Sequence, residues 1–255
     1  MSEGRPHLEV QFRHRVGVLA LDVAFALSEP WSVLFGPSGS GKTTVLRTVA
    51  GFVRPQEGRL VLSLPEREFV MTDTTRKICL KPHERMVRTA GQGAPLFPHL
   101  TVRQNLAFGA GGRSDGVRTA AIVEESIERF RLQELAEKLP STLSGGERHR
   151  VAIGRAAAAA MSAEEGCLLL LDEPFAGLDV ALRDELIEEL RGWLTSTRTP
   201  VLSVTHDVGE AFQLGAEVIK ITDGRVVQQG PVAEVLVQER ARLLEQLNAA
   251  TENRA

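Results

Sequence analysis

A chain of 255 residues, 43% hydrophobic and 25% charged, lies near the upper limit of what one core serves, which excludes a minidomain, a disordered chain and a fibrous rod. Thirty Lys and Arg against 33 Asp and Glu give a net charge of −3, so the overall basic footprint of a nucleic-acid binder is missing. Cys79 and Cys167 form no C-x-x-C pair, so a reducing compartment is expected rather than a disulfide framework or a zinc knuckle. Residues 1–30 carry scattered charge instead of a secretory or transit pattern, and no apolar run reaches the length of a membrane span. The protein is therefore expected in the cytoplasm, and at a membrane only as a peripheral subunit.

Three β-like runs open the chain, Leu8 to Phe12, Val18 to Phe25 and Trp31 to Phe35, broken by Gly17 and Pro30. A glycine-rich loop and a helix follow, the helix running through about Ala50 and closed by Gly51. A further β-like run, Arg59 to Leu64, ends at Pro65, and residues 63–95 read as irregular surface loops with room for one hairpin. From Thr101 to about Met161 the pattern is helical: Thr101 with Gln104 makes a capping box, and Ile122 to Leu132 repeats at helical spacing. Strand Leu168 to Leu171, helix Val180 to Leu194, strand Val201 to Val204, helix Val208 to Leu214 and strand Val218 to Ile221 then read as βαβ units of a parallel sheet. The chain is α/β at both ends with a helical insertion between.

Gly36, Pro37, Ser38, Gly39, Ser40, Gly41, Lys42 and Thr43, with Thr44 next, match G-x-x-x-x-G-K-[ST] between an apolar strand and a helix. Glycine there lets backbone N–H groups turn inward around phosphate oxygens at a helix N-terminus, whose dipole favours anions. Lys42 is placed to reach the β and γ phosphates of a nucleoside triphosphate, and Thr43 to ligate Mg²⁺. Alone, the motif says only nucleotide binding.

Leu168 to Leu171 runs into Asp172, Glu173 and Pro174. Ligands of doubly wound sheets collect at the carboxyl ends of strands, which assigns Asp172 to Mg²⁺ and Glu173 to the attacking water, although both acids also suit a turn cap. Leu143-Ser144-Gly145-Gly146-Glu147 is a capping box, yet two glycines in a first helical turn weaken a helix by about 1 kcal/mol each, which suggests bare N–H groups open to an anion.

The order of phosphate loop, Gln92, Leu-Ser-Gly-Gly-Glu, Leu-Asp-Glu-Pro, Asp179 and His206 resembles the ATP-binding cassette ATPases. The resemblance implies an α/β P-loop NTPase, RecA-like, with a parallel sheet core, an N-terminal antiparallel β subdomain and a helical signature subdomain inserted at about 95–162. It implies one nucleotide-binding domain over 1–255, and the 25 residues 231–255 read as a helical tail with no room for a C-terminal oxyanion-sensing domain. It also implies roles. Two copies pair head to tail, Ser144, Gly145 and Gly146 of one closing on ATP held by the other. Gln92 senses Mg²⁺ and water, Asp179 crosses the dimer interface, and Glu173 and His206 act at the γ phosphate. Asp179 equally suits the N-cap of the following helix.

Within that family, Gly91 to Leu106 resembles importer cassettes, and Lys77 to His83 resembles the ATPase subunits of molybdate importers. The implied partners are a second copy, an integral membrane permease and a separate solute-binding protein, with no nucleic acid. The alternative is a soluble cassette ATPase acting on nucleic acid or ribosomes, but neither a second cassette nor a long basic coiled coil is present. Adenine usually stacks on an N-terminal aromatic ring, often tyrosine; with no tyrosine in the chain, Phe12, or less well His14, is expected to serve.

Overall fold

The computed structural model describes residues 7–27, 29–63, 68–91, 95–111, 116–163, 166–197, 199–215 and 217–252. β1 (His7–Val16) and β2 (Leu19–Ala26) form a hairpin whose register pairs Glu9 with Ala26 and Val16 with Leu19. The period of two is visible in β1, where Leu8, Val10 and Phe12 are buried while Glu9, Gln11 and Arg13 are exposed. β3 (Trp31–Phe35) is buried at every position, as expected of a central strand covered on both faces. α1 (Lys42–Ala50) follows the phosphate loop and ends at Gly51 in the left-handed region.

Residues 63–95 are more ordered than the sequence suggests. β4 (Glu57–Ser63), β5 (Glu68–Asp73) and β6 (Ile78–Cys79) extend the hairpin as an antiparallel meander, and β7 (Val87–Ala90) lies at the opposite edge, parallel to the strand Leu168–Asp172. β4 falls on the expected run from Arg59, whereas β5, β6 and β7 escape the periodicity because they are short and only partly buried. Their placement relies on Arg85, which is 1% exposed. Its guanidinium donates to the Thr48 and Val49 carbonyls at the C-terminal end of α1 (2.9 and 2.7 Å), to Leu80 O (3.0 Å) and to Thr72 Oγ1 (3.0 Å). A cation there complements the negative end of the helix dipole.

The inserted helices are α2 (Val102–Gly109), α3 (Gly116–Arg129) and α4 (Gly145–Met161). Both expected capping boxes form, Thr101 with Gln104 and Ser144 with Glu147. β8 (Leu168–Asp172), α5 (Val180–Thr197), β9 (Val201–Thr205), α6 (Val208–Leu214), β10 (Glu217–Thr222), β11 (Arg225–Pro231), α7 (Val232–Val235) and α8 (Val237–Glu252) complete the chain. β11 is a strand that the hydropathy pattern hides, because most of its residues are exposed and its pairing with β10 defines it.

The strands form one sheet in the order β6-β5-β4-β1-β2-β11-β10-β3-β9-β8-β7, with β10, β3, β9, β8 and β7 parallel. Its two faces bury separate clusters: Val33 and Phe35 of β3 point toward the inserted helices, and Leu34 toward α1 and the antiparallel strands. Three parallel strands, β3, β8 and β9, therefore deliver their carboxyl ends side by side.

Candidate functional site

The phosphate loop spans the turn from β3 to α1. Gly41 caps α1 with φ 101° and Gly39 has φ 82°, backbone states that side chains resist. A Cβ on Gly36 would stand 2.1 Å from Ile221 O of β10, and one on Gly41 would stand 2.4 Å from Leu21 Cδ2, so both positions also need glycine for space. No acidic residue lies in the first turn of α1, leaving its positive end free for an anion.

Lys42 is 7% exposed, and its Nζ donates to Gly36 O (2.7 Å) and Pro37 O (2.8 Å). Burial pulls its pKa down, against the charges of Glu173 and Asp172, which favour the ammonium form. Pro37, Ser38, Gly39 and Thr43 are exposed and Thr44 is half-buried, whereas Ser40 is buried with its hydroxyl unpaired.

Asp172 closes β8. Burial pushes its carboxyl above the usual range, against a hydrogen bond from Thr43 and the charge of Lys42. Thr43 and Asp172, expected to share Mg²⁺, are therefore in contact. A hydroxyl and a carboxylate beside phosphate-binding amides are hard oxygen donors, which fits an ion that draws its other ligands from phosphates and water. Among the described residues, no group of three or more His, Cys, Asp or Glu could hold a metal ion.

Glu173 follows in a left-handed conformation, φ 50°, which is uncommon for a long side chain. Its N–H donates to Val204 O of β9 (3.0 Å), and its Oε1 lies 3.0 Å from His206 Nδ1. Since His206 follows β9 directly, the neighbouring strands β8 and β9 bring these side chains together from 33 residues apart.

Ser144 caps α4: its N–H donates to Glu147 Oε2 (2.6 Å) and its Oγ accepts from Glu147 N–H (3.3 Å). Burial and hydrogen bonding leave Gly145 unexplained, because a Cβ there would meet nothing within 4 Å. Gly146 is tighter, 3.2 Å from Gly177 O. Asp179 Oδ1 accepts from Leu182 N–H (3.0 Å), so it caps α5. Gln92 lies outside the described residues.

The adenine platform must be corrected. Phe12 is 1% exposed, facing the core between Val10 and the β4 backbone, and cannot offer a ring face to a base. The sequence shows an aromatic residue near the N-terminus but not which way β1 turns it. His14 is half-buried on the same side of β1. At the end of the hairpin Val16 (45%) and Val18 (100%) are exposed, and Leu19 Cδ2 approaches the Cβ position of Gly41 to 3.3 Å, so the edge beside the phosphate loop is aliphatic. Phe12→Ala is therefore expected to cost about 3–5 kcal/mol of folding stability by opening a cavity. Chemical denaturation should show that loss, while nucleotide titration of the folded variant should show unchanged ATP affinity.

Sequence reasoning also missed Thr205, Asp207 and Glu210. Asp207 Oδ1 accepts from Glu210 N–H (2.8 Å), a helix cap that an Asp before Val208 could have signalled.

Fold and site together define a P-loop nucleotide-binding domain with a helical insertion. The chain belongs to the ABC transporter family, whose sequence profile matches residues 22–176. It is 41% identical over 232 residues to the molybdenum import ATP-binding protein ModC of Rhizobium meliloti, covering 90% of this chain and 61% of that protein. The molybdenum import ATP-binding protein ModC of Rhodospirillum rubrum is 37% identical, over 91% of this chain and 60% of its own length. The chain thus spans about three fifths of the length of these curated relatives. Among solved structures, the dimeric ATP-binding cassette MJ0796 in a post-hydrolysis state bound to ADP and Pi superposes with a TM-score of 0.70 at 23% identity, covering 88% of this chain and 98% of that one. A second dimeric structure of MJ0796, titled a bacterial ABC transporter cassette, gives 0.71 over the same shares of the two chains. At that identity the likeness speaks for the fold.

Proposed function

We propose that this chain is the ATP-hydrolysing subunit of an ABC importer, working as a head-to-tail homodimer against a separate permease. The observation that carries the reading is the pairing of Glu173 with His206 at 3.0 Å beside the Thr43–Asp172 contact and the buried Lys42. In this reading the amides of Gly36 to Thr43 hold the β and γ phosphates, and Lys42 moves from its carbonyl partners onto them. Thr43 and Asp172 hold Mg²⁺, with Gln92 as a further ligand; the ion would neutralise charge building on the γ phosphate. Glu173 accepts a proton from the attacking water, and His206 fixes the carboxylate while facing the γ phosphate.

The open space at Gly145 supports closure by a second copy, since a helix start that needs no glycine for its own packing is suited to an incoming anion. Ser144, Gly145 and Gly146 then complete the partner's site, with Asp179 at the same interface. The adenine rests on the aliphatic edge at Val16 and Val18.

Among the described residues no helix is long and apolar enough to cross a membrane; in this reading a separate permease spans it. Molybdate, or a related oxyanion, is the solute that the names of the relatives support, delivered by a separate solute-binding protein. The location is then the inner face of the cell membrane. Affinity purification of the chain from detergent-solubilised membranes should recover a multispanning permease. Recovery of ribosomes or nucleic acid without such a partner would contradict the reading.

A further inference from the structure

His206 stands inside a ring of hydrogen bonds that the reaction scheme does not use. The hydroxyl of Thr205, the residue before it, accepts from the N–H of Asp207, the residue after it, at 3.0 Å. The same hydroxyl is hydrogen-bonded to the Glu210 carboxyl. The Glu210 N–H in turn donates to Asp207 Oδ1 at 2.8 Å, closing the ring. Both neighbours of His206 are thus fixed through one residue of α6. Glu210 is only 5% exposed, and its Oε1 is buried with no hydrogen-bond partner. Burying a carboxyl this way is costly, and a cap at Asp207 alone does not need it.

We propose that Glu210 is a positioning residue of the reaction centre, holding the segment Thr205 to Asp207 so that His206 meets Glu173. The inference rests on reading Glu173 and His206 as the hydrolytic pair. α6 carries no atom to the phosphates in this account; Glu210 acts through the backbone on either side of His206.

Three charged groups face Glu210. Asp207 lies on its own loop, Glu173 at the end of β8, and Arg183 reaches in from α5, 3.9 Å from Asp207 Oδ2, while His206 projects outward. Burial pushes the Glu210 carboxyl up to about 7, opposed by the Thr205 hydrogen bond, reinforced by Asp207, opposed by Arg183 and reinforced by Glu173. Glu210 is therefore mainly neutral below that pH and charged above it, where it pulls harder on the Thr205 hydroxyl.

The test compares the full chain with Glu210→Gln and Glu210→Ala, following the His206 ring by NMR without nucleotide and ATP hydrolysis at steady state. Glu210→Ala should broaden or split the His206 resonance and lower kcat about tenfold or more, with KM for ATP unchanged. Glu210→Gln keeps an acceptor for Thr205 and should retain a sharp His206 line and most of the rate. The ionisation near pH 7 that Glu210 contributes should disappear in that variant from the rate profile. A His206 line identical in all three proteins would overturn the proposal, as would equal losses of kcat and ATP affinity in both variants. If the wild-type chain hydrolyses no ATP, the hydrolytic reading fails, while the NMR comparison still decides whether Glu210 positions His206.

Discussion

Glu173→Gln is expected to lower ATP turnover by about 10² to 10⁴, the range that a positioned general base contributes, while leaving ATP affinity near wild type. The substitution is nearly isosteric and keeps an oxygen for the 3.0 Å contact with His206 Nδ1, so the geometry of the β8 and β9 ends persists. What is lost is the ability to take a proton from water. Lys42 is held by the Gly36 and Pro37 carbonyls, so the phosphate-binding loop should keep its geometry. Phosphate release and nucleotide titration on the same preparation separate the two effects, and near wild-type turnover would remove Glu173 from its role.

Lys42→Ala is expected to act on binding instead. The ammonium is held ready by two carbonyls and is drawn toward Asp172 and Glu173, so it is a preorganised charge that burial has already partly desolvated. Charge-assisted hydrogen bonds are worth about 1.5–3 kcal/mol each, and losing two to phosphate oxygens predicts a fall in ATP affinity of about a hundredfold or more. The fold should survive, because Pro37 is exposed and its carbonyl can turn to water. Unchanged affinity in a variant with a wild-type melting curve would mean that the loop is not the phosphate site.

The candidate site was legible in the sequence because its residues sit in short, contiguous signals. The strand Trp31–Phe35, the glycines of the loop and the helix from Lys42 occur in one run of residues, and the structure places them as that run implies. Ser144 with Glu147 and Thr101 with Gln104 were equally plain, since a capping box is local. Features set by pairing across the sheet were hidden. β7, only four residues long, is a strand because β8 lies beside it, and β11 because β10 does. Phe12 failed for a related reason: the sequence supplied an aromatic ring near the N-terminus, but only the register of β1 against β2 and β4 turns it inward. Glu210 was invisible because a glutamate three residues after an N-cap ordinarily reads as a solvated first-turn acid. Its burial depends on how α6 packs over the end of β9.

The central claim, that one copy completes the nucleotide site of another, is tested most directly by the solution mass of the Glu173→Gln chain measured by light scattering with and without Mg·ATP. The account predicts one chain mass without nucleotide and twice that mass with it. Adding Ser144→Arg, which places a bulky cation at the exposed start of α4, should return the ATP-bound sample to a single chain. A mass that does not respond to ATP, or a dimer that forms equally well with Ser144→Arg, would contradict it.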